Sequence, residues 1–287
     1  MKIDGATQIV GVFGSPIAHT ASPAMHNAAL AAAKLNWCYL PFHVEPQNLR
    51  SALMGIRDLN CRGVNLTVPH KILALEMMDE VDADARKLGA VNTVLVKDGK
   101  LIGFNTDGYG FTKGIHEDFD IVLKGQRVLV LGAGGAGRAI AIQCALDGAA
   151  KVTVANRTLA KIAPIAAEIA GTKTAFQAIG LEGASLQRLV GAVDLIVNAT
   201  SVGLQAGDAL GLPAKLFSSG VAVYDTIYRP AETQLLRQAT EAGAKVSNGL
   251  SMLLHQGAKA FEIWTGRKAP LTVMRRALQT AVYGAKA

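Results

Sequence analysis

Aromatic and charged side chains are scarce in this sequence. Phe, Trp and Tyr make up 5% of the 287 residues, and charged residues make up 18%. Half of the residues are apolar, which excludes a disordered or low-complexity chain, because such chains are rich in charge and poor in aliphatic residues. At about 150 residues per domain, the length predicts two domains, each with its own core.

Cysteine is also rare. Cys38, Cys61 and Cys144 show no C-x-x-C spacing and are odd in number, so we expect no disulfide framework and a cytoplasmic location. The six histidines are not at metal-ligand spacing, so we expect no metal site. The uncharged stretch 5–33 is too rich in proline, histidine and asparagine for a membrane span, and the N-terminus lacks the apolar region of a signal peptide.

Positive charge exceeds negative charge, and the formal net charge is +7. The basic residues are dispersed, with no dense Lys or Arg tract. A dispersed excess of this kind favours an anionic small ligand over nucleic acid. We therefore expect neither a nucleic-acid nor a membrane partner.

Aliphatic segments alternate with segments of helical periodicity along most of the chain. We predict strands at 8–14, 37–44, 63–66, 90–96, 101–104, 127–131, 151–155, 192–197, 221–224 and 245–247. We predict helices at 22–35, 48–59, 71–78, 138–147, 159–170, 233–242, 252–264 and 271–282. This alternation predicts an α/β fold in which parallel sheets carry helices on both faces.

A glycine-rich loop follows the predicted strand 127–131 and opens a helix. Its pattern is Gly132-x-Gly134-x-x-Gly137, in which the glycines permit a tight turn, a close approach of a pyrophosphate and close packing of helix on strand. The N-terminus of the following helix offers free N–H groups to phosphates. The loop therefore predicts a dinucleotide site, with Gly132, Ala133, Gly134, Gly135 and Ala136 as cofactor contacts.

The end of the next strand discriminates between the two nicotinamide cofactors. A carboxylate at this place binds the ribose 2′-hydroxyl of NAD. This chain instead has Asn156, Arg157 and Thr158, with Lys161 one turn later. A guanidinium and an ammonium suit a 2′-phosphate, so we predict NADP rather than NAD.

Short polar runs end several predicted strands of the first third. In an α/β protein these positions line the ligand crevice. The runs are SPIAHTASP at 15–23, GVNLTVPHK at 63–71, GAVNT at 89–93 and GFNTDG at 103–108. Each polar residue also has a purely structural interpretation: Ser22 and Asp107 as helix caps, Asn92 and Thr106 as turn residues, Lys71 as a surface lysine.

Nine motifs, in order between residues 14 and 266, resemble those of the shikimate dehydrogenase family, including its quinate/shikimate relatives. They are SPIAHTASP, NLTVPHK, GAVNT, GFNTDG, GAGGAGRA, NRT, NATSVG, DTIYRP and NGLSMLLHQGAKAFEIWTG. The resemblance implies an N-terminal substrate-binding domain (residues 1–106), a Rossmann-type NADP-binding domain (107–246) and C-terminal helices (247–287) that return to the first domain. It also implies an active site in the cleft between the two domains.

The resemblance assigns roles to matching positions. It implies that Lys71 is the catalytic acid or base, or an electrostatic stabiliser of the reacting oxygen, and that Asp107 is its partner. It implies substrate contacts at Thr20, Ser22, Asn65, Thr67, Asn92, Tyr228 and Gln256. It adds Thr200, Thr226 and Gly249 to the cofactor contacts.

Three positions depart from the family pattern. Thr20 stands in place of the more usual serine, Ser251 where glycine is common, and Thr226 where a larger apolar residue is common. These departures leave the reaction class unchanged and leave the substrate open.

We therefore predict an NADP-dependent oxidoreductase that interconverts 3-dehydroshikimate and shikimate, as a monomer or homodimer. The alternatives are a related enzyme acting on quinate or another cyclic hydroxy acid, and a non-catalytic sensor of NADP or ligand.

Overall fold

The computed structural model describes residues 3–205 and 207–284. The chain forms two compact units. The first comprises the residues up to 110 together with those from 254 onward, and the second comprises residues 111–253.

The first unit is built on a six-stranded sheet of order β2-β1-β3-β5-β6-β4. Its strands are β1 (Gln8–Gly14), β2 (Trp37–His43), β3 (Gly63–Leu66), β4 (Glu80–Val81), β5 (Thr93–Lys97) and β6 (Lys100–Phe104). Its helices are α1 (Ser22–Ala32), α2 (Leu49–Asp58), α3 (His70–Leu73), α4 (Ala83–Leu88) and, at the C-terminal end, α11 (Leu271–Tyr283).

This sheet is mixed, and the prediction of a parallel sheet is wrong here. β1 pairs in parallel with β2 and β3, whereas β5 is antiparallel to both β3 and β6. The cause of the antiparallel β5–β6 pair is the turn Asp98-Gly99, whose φ angles are 51° and 73°. Two residues at positive φ form a hairpin turn, which joins only antiparallel strands.

The core of the first unit lies under this sheet. Leu49 and Leu53 of α2 pack with Val64, Val94 and Leu101 from three strands. α11 packs on α1. The C-terminal residues from 254 onward thereby belong to the same unit as the N-terminal sheet.

The second unit contains six parallel strands of order β12-β11-β10-β7-β8-β9. They are β7 (Arg127–Leu131), β8 (Lys151–Asn156), β9 (Ala175–Gly180), β10 (Leu195–Asn198), β11 (Ala222–Asp225) and β12 (Lys245–Asn248). Read from β9, the order is 3-2-1-4-5-6, which is the order of dinucleotide-binding folds. The predicted α/β class, with a Rossmann-type sheet, is confirmed.

The helices of the second unit are α6 (Gly135–Leu146), α7 (Ala163–Ile169), α8 (Gly183–Gln187) and α9 (Gln234–Glu241). Two further helices, α5 (Asp107–Phe119) and α10 (Leu250–Thr265), each contain a point at which the chain changes unit. The domain boundaries predicted after residues 106 and 246 stay predictions.

Two predicted helices are interrupted. The segment predicted at 71–78 is α3 followed by the 3₁₀ turn Ala74–Met77, and the one predicted at 159–170 is the 3₁₀ turn Leu159–Lys161 followed by α7. In the second case Pro164 lies in the first turn of α7, where proline is tolerated because its missing N–H has no helical acceptor.

Candidate active site

The polar motifs of the first third of the chain lie at one end of the first sheet, where β1, β3 and β6 end and β5 begins. We call this end the polar edge. β1 and β3 are parallel neighbours, so the runs that follow Gly14 and Leu66 leave the sheet at the same edge. β5 is antiparallel to β3, which brings its beginning, near Asn92, to that edge. β6 is antiparallel to β5, and its end leads to Asp107. The mixed topology therefore juxtaposes motifs that are far apart in sequence.

Lys71 and Asp107 form an ion pair at this edge. Lys71 Nζ donates a hydrogen bond of 2.6 Å to Asp107 Oδ2. The Lys71 side chain is 18% exposed and that of Asp107 is 5% exposed. Asp107 begins α5, yet its carboxylate binds Lys71, so the interpretations as surface lysine and as simple helix cap do not hold.

Asn92 links this pair to the rest of the edge. The backbone N of Thr106 donates to Asn92 Oδ1 at 2.8 Å, which fixes the orientation of the amide. Asn92 Nδ2 then donates to Asp107 Oδ1 at 2.9 Å. Gln256 Oε1 lies 3.5 Å from Asn92 Nδ2 and 3.4 Å from Thr106 Oγ1. The predicted residues Lys71, Asn92, Asp107 and Gln256 are thus brought together.

Thr20 and Ser22, two of the predicted substrate contacts, lie at the beginning of α1. α1 begins at Ser22, and no side chain caps it, so Ser22 is not the capping residue that its sequence context suggests. Thr20 Oγ1 accepts from the backbone N of Ser22 at 3.3 Å. Asn65 is buried and Thr67 is half-buried at the end of β3. Tyr228 belongs to the second unit.

The glycine loop of the second unit lies at the point where the strand order reverses, between β7 and β10. Gly132 has φ +103°, a conformation that favours glycine. A Cβ on Gly137 would lie 2.1 Å from the carbonyl oxygen of Gly132, so packing alone excludes a side chain there. A Cβ on Gly134 or Gly135 would meet nothing within 4 Å. Packing does not require glycine at these two positions, whereas a ligand close to the backbone would.

The predicted 2′-phosphate residues follow the neighbouring strand β8. Asn156 Oδ1 accepts from the backbone N of Ala133 at 3.3 Å, and its Nδ2 donates to the carbonyl of Thr158 at 2.9 Å. Asn156 therefore joins the glycine loop to the basic segment. The side chains of Arg157, Thr158 and Lys161 are exposed.

The buried carboxylate of Asp225 accepts several hydrogen bonds near the point where the strand order reverses. Asp225, at the end of β11, accepts from Thr233 Oγ1 at 2.7 Å, from Asn198 Nδ2 at 2.9 Å and from the backbone N of Ile227 at 3.0 Å. Asn198 Oδ1 in turn accepts from Thr200 Oγ1 at 2.7 Å. This network holds the loop that contains Thr200.

Thr226 and Gly249 lie next to each other in the second unit. Thr226 directly follows Asp225, and a Cβ on Gly249 would lie 2.1 Å from the carbonyl oxygen of Thr226. Glycine is therefore required at 249 for close backbone packing.

We expect Asp225 to make the stability of the protein depend on pH. Burial raises the pKa of its carboxyl from 3.8 to about 6, although three donors oppose the rise. Because the folded pKa lies above the unfolded pKa, the folded state binds the proton more tightly, and stability falls as pH rises from about 4 to about 6. Asp225→Asn should remove this loss, about 3 kcal/mol in the free energy of unfolding, as measured by urea unfolding at pH 3 to 7.5.

Asp194→Asn is the matched control, because the carboxyl of Asp194 changes the stability with pH in the opposite direction. Hydrogen bonds from Arg127 lower the pKa of Asp194, so its contribution is present at neutral pH and lost on acidification. Equal pH slopes for wild type and Asp225→Asn would contradict the assignment.

Ser251, which stands where glycine is common in the family, has a hydrogen-bond partner in the second unit. Ser251 Oγ donates to Asp118 Oδ2 at 2.6 Å and lies 3.2 Å from the hydroxyl of Tyr224. Gly114 leaves room for it, since a Cβ there would lie 2.9 Å from Ser251 Oγ. The serine therefore adds a hydrogen bond between α5 and α10 within the second unit.

Three residues of the polar edge were not assigned from the sequence: Tyr39, Thr93 and Thr106. All three are buried and hydrogen-bonded within the edge. Thr93 and Thr106 stand inside the quoted motifs, directly beside assigned residues. Tyr39 lies in an alternating strand, and its only sequence signal is that a buried tyrosine hydroxyl requires a partner.

Two further statements apply to the described ranges, residues 3–205 and 207–284. No group of three or more His, Cys, Asp or Glu in these ranges could hold a metal ion. No helix in the same ranges is both long and apolar enough to cross a bilayer.

Family models match three segments of the chain. Residues 12–94 match the shikimate dehydrogenase substrate binding domain, residues 115–205 match shikimate / quinate 5-dehydrogenase, and residues 249–279 match the shikimate 5'-dehydrogenase C-terminal domain. A shikimate dehydrogenase (NADP(+)) of Desulforamulus reducens is 43% identical over 284 residues, which is 98% of each chain. The chain belongs to the shikimate dehydrogenase family.

Two solved structures of known enzymes are similar to this chain over nearly its whole length. Shikimate 5-dehydrogenase of Thermus thermophilus, in complex with NADP(H) and shikimate, is 41% identical with a TM-score of 0.85 and covers 96% of this chain and 99% of its own. A 5-ketofructose reductase of a Gluconobacter species is 35% identical with a TM-score of 0.87, over 96% of this chain and 99% of its own. The resemblance drawn from the nine motifs is confirmed. The second match shows that members of this fold differ in substrate.

Proposed function

We propose that the protein is an NADP-dependent oxidoreductase that interconverts 3-dehydroshikimate and shikimate by hydride transfer. The observation that carries the proposal is the buried Lys71–Asp107 ion pair, held by Asn92 at the edge where four polar motifs meet. The curated relative at 43% identity, named as an NADP(+) enzyme, supports the same activity.

The residues of the first unit supply binding and proton transfer. When bound, the nicotinamide supplies the hydride. Lys71 has a hydrogen-bonding ammonium that donates a proton to the oxygen of the reacting carbon and accepts it in the reverse direction. Asp107 holds that ammonium at 2.6 Å and fixes its direction. Electrostatic stabilisation of the oxygen by the same ammonium is the alternative role.

The remaining predicted contacts recognise the substrate. The hydroxyls of Thr20 and Ser22 hold its carboxylate. Since the segment 5–33 contains no charged residue, the donors that it offers to this carboxylate are neutral. Hydrogen bonds from the other predicted side chains recognise the ring hydroxyls or the carboxylate. These are Asn65, Thr67, Asn92, Tyr228 and Gln256.

The second unit fits NADP. The open space around Gly134 and Gly135 admits a pyrophosphate against the backbone, and the first N–H groups of α6 have no helical acceptor. Arg157 and Lys161, exposed at the end of β8, suit the 2′-phosphate. Ala133, Ala136, Asn156, Thr158, Thr200, Thr226 and Gly249 complete the proposed contacts.

Arg157→Gln should raise KM for NADP by about tenfold or more, because it removes a charge-assisted contact to the 2′-phosphate. KM for NAD, which lacks this phosphate, should change little. Lys173→Gln, at an exposed lysine before β9, is the matched control and should leave both values unchanged. An equal rise of KM for both cofactors would contradict the assignment of Arg157.

The proposed activity is tested by a four-way comparison. Purified protein is mixed with shikimate or quinate, each with NADP or NAD, and reduced nicotinamide is followed by absorbance. The highest kcat/KM is expected for shikimate with NADP. A preference for quinate would overturn the substrate, and ligand binding without reduction in any mixture would favour a sensor.

We also propose where the enzyme works and with which partners. The free cysteines at 38, 61 and 144, all buried, agree with a reducing cytoplasm. We propose a small-molecule enzyme without a nucleic-acid or membrane partner, as a monomer or homodimer, in aromatic amino acid biosynthesis.

A further inference from the structure

Tyr39 is a buried tyrosine whose hydroxyl contacts Asn65, one of the predicted substrate residues. It lies in β2 and is 1% exposed. Its hydroxyl donates to Asn65 Oδ1 at 2.8 Å. Burial raises the pKa of the Tyr39 phenol, and a hydrogen bond with Ser22 partly opposes this rise.

The direction of the bond between Tyr39 and Asn65 is fixed by chemistry. Asn65 Nδ2 lies 3.2 Å from the carbonyl oxygen of Asn92, which can only accept, and 3.0 Å from Thr93 Oγ1. The amide nitrogen must therefore face Asn92, and Asn65 Oδ1 must face Tyr39. Tyr39 therefore gives its single hydroxyl proton to Asn65.

The hydrogen bonds continue in the same donor-to-acceptor direction from Asn65 to the Lys71–Asp107 ion pair. Thr93 Oγ1 accepts from Asn65 and donates to Asn92 Oδ1 at 3.0 Å. Asn92 Nδ2 donates to Asp107 Oδ1 at 2.9 Å. The hydrogen bonds therefore form a series that runs in one direction, from Tyr39 through Asn65, Thr93 and Asn92 to Asp107, whose carboxylate accepts the last of them.

The ring of Tyr39 is held firmly against α1. His26 stacks on it with ring centroids 4.3 Å apart and an interplanar angle of 5°. Burial lowers the pKa of His26 to about 3, so the stacked ring is neutral. The side chain of Asn27 accepts from the backbone N of Tyr39 and donates to its carbonyl, both at 2.9 Å. The helix that begins at Ser22 therefore fixes the place of the hydroxyl.

We propose that Tyr39 is a positioning residue of the substrate site, whose hydroxyl orients the Asn65 amide and, through it, the series that ends at Asp107. The inference rests on the proposed function, because only that function makes Asn65 a substrate contact.

Tyr39→Phe removes the hydroxyl and keeps the ring stack. Asn65 Oδ1 then loses its donor in a buried place, and only the hydrogen bonds of its nitrogen still hold the amide in position. We expect KM for shikimate to rise about tenfold, kcat to change less, and KM for NADP to stay within about twofold of wild type. Steady-state kinetics with each substrate varied in turn measures this split.

Tyr224→Phe is the matched control. Tyr224 is 0% exposed in the second unit, and its hydroxyl accepts from the backbone N of Met252 at 3.2 Å. Both variants lose one buried phenol hydroxyl, and thermal unfolding reports the loss of stability in each. Only Tyr39→Phe is expected to raise KM for shikimate.

A double-mutant cycle tests whether Tyr39 acts through Asn65. In an Asn65→Ala background, Tyr39→Phe should leave KM for shikimate unchanged. An additive effect, or an unchanged KM in Tyr39→Phe alone, would overturn the inference while the wild type still oxidises shikimate. A wild type that neither binds nor oxidises shikimate would instead overturn the proposed function, and the inference with it.

Discussion

Replacing Lys71 with methionine should lower kcat for shikimate oxidation by about 1,000-fold, within the range that a positioned acid or base contributes. Methionine keeps most of the side-chain stem and its packing, so the loss reports on the ammonium. KM for shikimate should change little, because Lys71 acts on the reacting oxygen while other side chains hold the ring and the carboxylate. Steady-state kinetics over a range of shikimate concentrations measures both parameters.

The matched control is Lys87→Met, at an exposed lysine of α4 in the same unit. It should retain wild-type kcat and KM. A Lys71→Met variant with wild-type kcat would remove Lys71 from the catalytic machinery. A large loss accompanied by a lower unfolding temperature would instead indicate that Asp107, deprived of its partner, destabilises the unit.

Lys71→Arg separates the two roles of the ammonium. Arginine keeps the positive charge but does not give up its proton in proteins. Retained turnover would therefore indicate electrostatic stabilisation of the oxygen, whereas a loss like that of Lys71→Met would indicate proton transfer. Crystal structures of the variant would show whether the guanidinium still reaches Asp107.

Local chemistry made part of the molecule predictable from its sequence. The glycine loop, its preceding strand and its following helix were placed correctly, because turn, strand and helix signals agree over a short segment. β9 was missed because its side chains are exposed or half-buried and show no clean alternation. The hairpin at Asp98-Gly99 was overlooked, and with it the antiparallel part of the first sheet.

The candidate site depended on a resemblance for its roles and on coordinates for its geometry. Lys71 and Asp107 are separated by 36 positions, and no spacing rule connects them. The antiparallel turn of β5 and β6 brings them to one edge. Hydrogen-bond direction at Asn65 and Asn92 depends on which neighbouring groups can only donate or only accept, and that arrangement exists only in the folded chain.

Gly137→Ala should be the most damaging small substitution in the cofactor loop. A Cβ there would lie 2.1 Å from the carbonyl oxygen and 2.8 Å from the carbonyl carbon of Gly132, and backbone atoms cannot move aside without opening the turn between β7 and α6. We expect a loss of about 3 kcal/mol in the free energy of unfolding and a loss of NADP binding, measured by urea unfolding and by cofactor titration.

Gly134→Ala is its matched control, because it separates the demands of packing from those of the ligand. Gly134 has φ −77° and ψ −172°, which alanine adopts without strain, and a Cβ there would meet nothing within 4 Å. The variant should unfold at the wild-type temperature and still raise KM for NADP by about tenfold or more, because the added methyl group occupies the space proposed for the pyrophosphate. If Gly134→Ala binds NADP as the wild type does, the pyrophosphate does not approach the backbone there. If Gly137→Ala keeps wild-type stability, the turn is more adaptable than its 2.1 Å separation implies.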